Sequence, residues 1–196
     1  MFDIARQADL LFHLDRTARL TAIAQAVVHG SPLPAFINFN PTSIYNPNAC
    51  LQSTRHAVDT AGIPPDRIVF EVVESDDVGD ADHLLNILNF YRDAGFRVAL
   101  DDVGSGYSSL NLLAQLKPDF MKLDMQLVRG VDTDRYKAGI AARLLDFASC
   151  EGIKTVAEGI ETRGEWEWVR DHGADYAQGY FFARPSATPM MSLALR

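Results

Sequence analysis

Acidic and amide side chains recur at the ends of apolar runs along this chain, and residues of these types can bind metal ions. The stretch VALDDVGSGYSSL, from Val98 to Leu110, places Asp101 and Asp102 side by side at the end of one such run. Polar residues also stand near the ends of the other runs, where strand propensity disfavours them. These are Asn38, Asn40, Glu71, Glu74, Lys122, Asp124, Glu158, Glu161 and Gln178.

Four carboxylates and one amide oxygen in this set suggest a divalent metal, and they belong to Asn38, Glu71, Asp101, Asp102 and Glu158. Converging carboxylates repel one another or take up protons unless a cation neutralises them. Oxygen ligands favour hard ions, Mg²⁺, Mn²⁺ or Ca²⁺, over zinc. Asp101 and Asp102 could serve two ions, one carboxylate bridging both, as in sites that clamp the attacking and leaving oxygens of a phosphoryl group. This pattern favours phosphodiester hydrolysis.

A lysine among these acids has two interpretations. Lys122 could orient the attacking water or offset phosphate charge. The structural alternative is a plain ion pair between Lys122 and Asp124.

Short apolar runs alternate with longer stretches of helical period, which predicts parallel βαβ units. The predicted strands are Ala35–Phe39, Arg67–Val73, Arg97–Val103, Phe120–Asp124, Lys154–Ala157 and Tyr176–Phe182. The predicted helices include Leu51–Ala61, Asp82–Ala94, Leu110–Leu116, Ala138–Ala148 and Glu165–His172. We expect an α/β fold, first a TIM-like (β/α) barrel and second an open doubly wound sheet. In a barrel the carboxyl ends of all strands meet on one face, where barrel enzymes build their active sites.

Composition limits the partners. The chain has 196 residues, 47% of them hydrophobic, and a formal net charge of −8. These values predict one globular domain, residues 1–196, that binds neither nucleic acid nor anionic membranes in general. Cys50 and Cys150 fit no zinc or redox spacing, which indicates a cytoplasmic setting, either alone or within a larger signalling protein. No apolar run approaches the roughly 20 residues that cross a bilayer.

Six motifs in order resemble those of the EAL-domain family, bacterial phosphodiesterases that open cyclic di-GMP to linear pGpG. They are INFN, FEVVES, LDDVGSGYSSL, FMKLD, VAEGIE and AQGYFFARP, and the match runs from about Phe2 to Pro185. The resemblance implies a barrel fold, a homodimer and a divalent cofactor, Mg²⁺ or Mn²⁺, with two ions in a complete site. It also implies that a sensor or GGDEF (cyclase) domain could be attached in a longer parent protein.

The resemblance also assigns residue roles. It makes Asn38, Glu71, Asp101, Asp102 and Glu158 metal ligands, with Asp101 bridging. Catalytic roles fall to Lys122, which holds the attacking water, to Asp124 beside it and to Glu158. Gln178 becomes a contact near the scissile phosphate, and Glu161 matches the second glutamate of the VAEGIE motif. Loop support and the coupling of metal binding to dimerisation fall to Glu74, Ser105, Gly106, Tyr107 and Ser108.

Two departures from the family pattern affect the functional expectation. Val103 and Ser105 stand where the family usually has phenylalanine and threonine, and we expect these changes to tune the loop. The glutamate-alanine-leucine signature and the arginine after it occur nowhere in the sequence. The family's first two strands are therefore expected to be missing, with about six of eight strands present. That implies a fragment of a longer protein, two copies completing each other, or a degenerate relative.

Two functions follow from the sequence. The first is hydrolysis of cyclic di-GMP to pGpG by metal-assisted water attack, impaired here by the missing glutamate. The alternative is an inactive EAL-like module that binds cyclic di-GMP or a partner protein in bacterial signalling.

Overall fold

The computed structural model describes residues 2–8, 10–29, 33–39, 47–73, 81–105 and 109–187. Helices and strands alternate along most of this length. In chain order they are α1 (Phe2–Gln7), α2 (Leu11–His29), β1 (Ala35–Asn38), α3 (Pro47–Ala61), β2 (Ile68–Val73), α4 (Ala81–Asp93), β3 (Arg97–Val103), α5 (Ser109–Leu116), β4 (Phe120–Leu123), α6 (Met125–Val128), α7 (Arg135–Glu151), β5 (Lys154–Ala157), α8 (Arg163–Asp171) and β6 (Tyr176–Ala177).

The strands pair in parallel, β1 with β2, β3 with β4, β4 with β5 and β5 with β6. Helices connect consecutive strands, as parallel pairing requires. Six strands within the described residues match the predicted number, and the α/β fold class is confirmed. Among the described residues no helix has the length and apolar character to span a bilayer.

The chain forms two compact units, residues 1–98 and 99–196, with the boundary inside β3. In the first unit, an aromatic cluster formed by Phe39, Phe70, Tyr91 and Phe96 fills the core between β2 and α4, with ring centroids 5.0 Å apart for Phe70 and Tyr91. Burial raises the pKa of Tyr91 to about 12, and its hydroxyl accepts a hydrogen bond from Arg19. Whether residues 1–196 form one domain stays a prediction.

The core of the second unit lies around β4, whose four residues are all buried. Helix α7 buries Ala141, Leu145 and Ala148 on one side. Asp134 caps the start of this helix, accepting backbone N–H groups of Tyr136 and Lys137. This cap explains why α7 begins before the predicted Ala138, because the side chain satisfies amides that have no partner inside the helix.

The last strand is shorter than predicted, since β6 ends at Ala177 and the expected extension to Phe182 is wrong. Gly179 explains the difference. A Cβ there would lie 2.1 Å from the Ile160 carbonyl oxygen, so the two backbones approach more closely than any side chain allows. Ile160 accepts the N–H of Phe181 at 3.0 Å, and the chain forms turns over residues 180–182. The aromatic residues after Gln178 therefore lie in a turn and not in a strand.

Candidate functional site

The register of β4, β5 and β6 places three of the predicted site residues on one face. Lys122 pairs with Val156, and Val156 pairs with Tyr176. Because alternate residues of a strand face the same side, Glu158 and Gln178, each two residues later, share the face of Lys122. Backbone bonds continue the ladder past the strand ends, from Glu158 N–H to the Leu123 carbonyl and from Gln178 N–H to the Ala157 carbonyl.

The adjacent aspartates need an irregular strand to point to the same place. Leu100 pairs with Met121, which places Asp101 on the Lys122 face, and regular alternation would turn Asp102 to the opposite face. The register shifts between Leu100 and Val103, and Asp102 takes a left-handed backbone conformation with φ 56°. Carboxylate oxygens of Asp101, Asp102 and Glu158 consequently lie within 4.8 Å of one another. A bulge at the end of β3 thus converts two sequence neighbours into members of one cluster.

Lys122 lies within this acidic cluster. Its side chain is 6% exposed, and Nζ lies 2.9 Å from Asp101 Oδ1 and 2.9 Å from Glu158 Oε1. The Gln178 amide also donates a hydrogen bond to Glu158 Oε1. Lys122 is therefore ion-paired to acids from β3 and from the loop after β5. Asp124 is buried at the start of α6, and its carboxylate accepts the Gln126 N–H at 2.8 Å as the helix N-cap.

The site holds more negative charge than one lysine balances. Burial raises the pKa of Asp102, and the carboxylates of Asp101 and Asp124 raise it further, while Lys122 opposes the shift. Three clustered carboxylates that repel one another are a donor set that fits a hard divalent cation. Asp101, Asp102 and Glu158 could therefore hold such an ion.

The first unit has its own adjacent pair of predicted polar residues. Asn38 and Glu71 are register partners at the carboxyl end of β1 and near that of β2, so their side chains share a face of that sheet. Glu71 is 7% exposed, whereas Asn38 is exposed. The amide of Asn38 and the buried carboxylate of Glu71 both supply oxygen ligands of the kind that a hard cation prefers.

Some of the remaining predicted residues lie in the described part of the chain and others lie outside it. Glu74, Gly106, Tyr107 and Ser108 lie outside the described residues, as does Asn40. Ser105 donates from its hydroxyl to the Asp102 carbonyl at 2.8 Å and so supports the turn after β3. Glu161 is exposed and forms an ion pair with Arg129.

Sequence reasoning missed Glu165, placing it only at the start of a predicted helix. Its carboxylate is buried at 5% exposure and accepts three backbone N–H groups, from Gly130 at 2.8 Å, Glu161 at 2.9 Å and Thr162 at 3.0 Å. These hydrogen bonds lower the pKa of Glu165 although burial, the largest single influence, raises it. The signal was present as Thr162-x-x-Glu165, the spacing of a capping box.

Comparison with known proteins identifies a family model that matches most of the chain. The EAL domain family model matches residues 1–185. The probable cyclic di-GMP phosphodiesterase PdeB of Escherichia coli (strain K12) is 35% identical over 133 residues, which cover 68% of this chain and 25% of PdeB. The chain spans about a fifth to a third of the length of the first curated relatives that it matches.

Solved structures agree with the family match. A standalone versatile EAL protein from Vibrio cholerae O395, in its c-di-GMP-bound form, is 35% identical with a TM-score of 0.87, and the alignment covers 95% of this chain and 80% of that one. Klebsiella pneumoniae BlrP1 in a manganese and cyclic di-GMP complex is 33% identical with a TM-score of 0.83, covering 91% of this chain and 46% of that one. BlrP1 is also known in a calcium complex with the same nucleotide.

This likeness confirms the predicted TIM-like (β/α) fold class, with six strands in the described part of the chain. The family match covers residues 1–185, well over half of the chain, and includes all six motifs of the sequence. The chain therefore belongs to the EAL domain family.

Proposed function

We propose that this chain hydrolyses cyclic di-GMP to linear pGpG. The observation that carries the proposal is the grouping of Asp101, Asp102 and Glu158 around the buried Lys122. Support comes from relatives, since PdeB is named a probable cyclic di-GMP phosphodiesterase and the Vibrio cholerae EAL protein binds c-di-GMP. The substrate and the activity of this chain rest on that family relation.

Asp101, Asp102 and Glu158 are the proposed metal ligands, and the family resemblance adds Asn38 and Glu71 to the set. A divalent cation bound by these residues, Mg²⁺ or Mn²⁺ and two ions in a complete site, would supply positive charge that acidifies water and offsets the charge of a phosphoryl oxygen. The manganese and calcium complexes of BlrP1 support a divalent ion in this family.

The protein's own groups orient the water and offset charge. Lys122 carries an ammonium group that contacts Asp101 and Glu158 and is a strong hydrogen-bond donor. We assign it the role of orienting the attacking water, as the family resemblance implies. Gln178 donates its amide N–H to Glu158 and is the proposed contact near the scissile phosphate. Asp124 holds the start of α6 and adds negative charge beside Asp102.

The reaction adds one water molecule. The water oxygen bonds to phosphorus, the bond from phosphorus to the 3′ oxygen breaks, and that oxygen leaves with a proton. The product is linear and carries one new terminal phosphate, which matches pGpG. Lys122 lies among the acids where it can steady both the water and the developing charge.

Substitution of Glu158 tests the proposal. We expect the purified chain to release pGpG in Mn²⁺, to stop on EDTA addition, and to lose about 100-fold or more of its rate in Glu158→Gln. The matched control is Glu167→Gln, because Glu167 is an exposed partner of Arg163 on α8 and should keep the wild-type rate. Cyclic di-GMP that binds in Mn²⁺ without any pGpG release would instead support the non-catalytic module.

We further propose that a second copy of the chain packs against α7. Tyr136, Ile140 and Phe147 are 85%, 56% and 42% exposed and recur at spacings of four and seven, which places them on one side of the helix. Basic residues stand in the first turn of α7, at Arg135 and Lys137, and acidic residues stand toward its end. Large exposed apolar groups in a row are typical of an interface.

An antiparallel arrangement fits this helix. It sets the basic start of one α7 against the acidic end of the other, Asp146 and Glu151, and repeats the same contact in both copies. Tyr136, Gly139, Ile140 and Arg143 line an open hollow on this side of the helix. Phe147 of the second copy is the proposed occupant.

Light scattering after gel filtration tests this interface. The wild type should elute with twice the mass of the chain, and Ile140→Glu should elute as the monomer, because a buried unpaired charge is costly. Ser149→Glu is the control, since Ser149 is exposed on the opposite side of α7. A monomeric wild type, or an Ile140→Glu dimer, would refute the proposal. An attached sensor or cyclase domain stays a prediction.

A further inference from the structure

Glu165 joins two loops that carry groups of the proposed site. Its Oε1 accepts the N–H of Gly130, which follows α6, and its Oε2 accepts the N–H groups of Glu161 and Thr162, which follow β5. The carboxylate is buried, so these three bonds form away from water, where charged acceptors bond strongly. One side chain on α8 therefore ties together the segments after β4 and after β5.

In the loop after β5, Glu158 lies three residues before Glu161, whose amide bonds to Glu165. Glu158 lies directly after the strand, Gly159 has φ +68°, and Glu161 carries one of the bonded amides. The same loop meets the α6 segment a second time, through the ion pair of Arg129 with Glu161. A shift of the loop would move the Glu158 carboxylate relative to Lys122 and Asp101, its neighbours in the cluster.

We propose that Glu165 is a positioning residue that holds the Glu158 carboxylate in place for metal binding. This inference rests on the proposed function, since it concerns the same site. Groups that orient a metal ligand typically matter about 10- to 100-fold in metal affinity, although they never touch the ion. Glu165 acts through the backbone of residues 158–162, which sets it apart from the ligands themselves.

Asp175, whose carboxylate bonds to the start of β5, offers a matched control. It is a partly buried carboxylate that accepts the Thr155 N–H at 2.9 Å, the Thr155 hydroxyl at 3.2 Å and the Lys154 ammonium at 2.7 Å. It therefore also stabilises β5 by accepting backbone and side-chain donors. Its bonds lie at the start of β5, whereas those of Glu165 lie beyond its end.

Mn²⁺ binding to Glu165→Gln and Asp175→Asn, measured by electron paramagnetic resonance beside the Tm, tests the inference. Both variants should lower the Tm, because each weakens a carboxylate that accepts several donors. Glu165→Gln should weaken Mn²⁺ binding by about 10-fold, and Asp175→Asn should stay within about twofold of the wild type. Hydrogen exchange should rise over residues 158–162 only in Glu165→Gln.

Three results would overturn the inference. Equal loss of Mn²⁺ affinity in both variants would mean that Glu165 acts through general stability alone. Wild-type affinity in Glu165→Gln would mean that the loop holds its position without this carboxylate. A wild type that binds no Mn²⁺ would reject the metal site of the proposed function and the positioning role with it, and the failure would then appear in the unmodified chain.

Discussion

At the scale of the residue, Asp102 combines an unfavourable backbone with an unfavourable charge. Its φ of 56° lies in the left-handed region, which costs a non-glycine residue about 1 kcal/mol. Its carboxylate is partly buried beside Asp101 and Asp124, and its pKa is raised by burial first and by these acids next. Strain and like charge at one residue are typical of a site kept for function.

Asp102→Asn should therefore stabilise the metal-free protein. Asparagine tolerates the left-handed conformation and carries no charge, so both the desolvation and the repulsion disappear. The pKa of Asp102 in the folded protein lies above the ordinary 3.8. Ionised Asp102 therefore lowers the free energy of unfolding, and this loss appears as pH rises above 3.8. We expect a higher Tm at pH 7, a gain that vanishes near pH 3, and loss of stabilisation by Mn²⁺.

The control for that comparison is Asp59→Asn, at an exposed position of α3. It should leave both the Tm and the Mn²⁺ response unchanged. A lower Tm for metal-free Asp102→Asn at pH 7 would contradict the account of Asp102 as a destabilising residue.

Asp175 shows the opposite behaviour. Burial raises its pKa, but the hydrogen bonds from Lys154 and Thr155 outweigh burial and bring the pKa below the ordinary 3.8. Ionised Asp175 therefore stabilises the folded protein. This stabilisation is present above pH 3.8 and is lost as pH falls through the folded-state pKa of Asp175. The Tm gap between wild type and Asp175→Asn should be full at pH 6 and close toward pH 3. A gap of constant size over this range in thermal melts would show that Asp175 stabilises by packing instead.

At the scale of the element, the loop after β5 depends on a glycine in close contact. Gly159 has φ +68°, and a Cβ there would lie 2.3 Å from Met125 Cβ and 3.2 Å from Met125 Cα at the start of α6. Gly152 at the end of α7 has nearly the same φ, +71°, and a Cβ there meets nothing within 4 Å. A side chain at either position would have to adopt a positive φ. Only at Gly159 would it also clash with Met125.

Gly152→Ala should lower the free energy of unfolding by about 1 kcal/mol, the cost of a left-handed alanine. Gly159→Ala should lower it by at least about 1 kcal/mol more, because the loop and α6 must also separate. Urea unfolding of the two variants measures both values. Equal losses would show that the loop moves away from Met125 without resistance.

The sequence predicted the site best where regular alternation holds. Asp101, Lys122, Glu158 and Gln178 stand at or just past strand ends, and parallel pairing alone places them on one face. Asp102 required a bulge and a left-handed residue, which alternation does not predict. Glu165 acts through backbone amides of Gly130 and Glu161 that lie far apart in sequence, so only the capping spacing pointed to it. The β6 extension failed because Gly179 meets Ile160, a tertiary contact.

At the scale of the whole molecule, net charge favours a bound cation at the proposed site. The chain carries a formal charge of −8, and the proposed substrate is a phosphodiester anion. Lys122 is already ion-paired with Asp101 and Glu158, so it cannot balance the substrate by itself. A divalent cation held by the clustered acids would offset this repulsion, and the similar protein BlrP1 is known with manganese and with calcium.

Hydrolysis in ¹⁸O-labelled water tests whether this chain cleaves cyclic di-GMP by water attack. The 196-residue chain is incubated with cyclic di-GMP and Mn²⁺, and the products are analysed by mass spectrometry. We expect linear pGpG with one ¹⁸O atom in its terminal phosphate, and no product in EDTA. Cyclic di-GMP recovered intact and unlabelled from a Mn²⁺-containing sample that binds it would show that the chain does not hydrolyse this nucleotide.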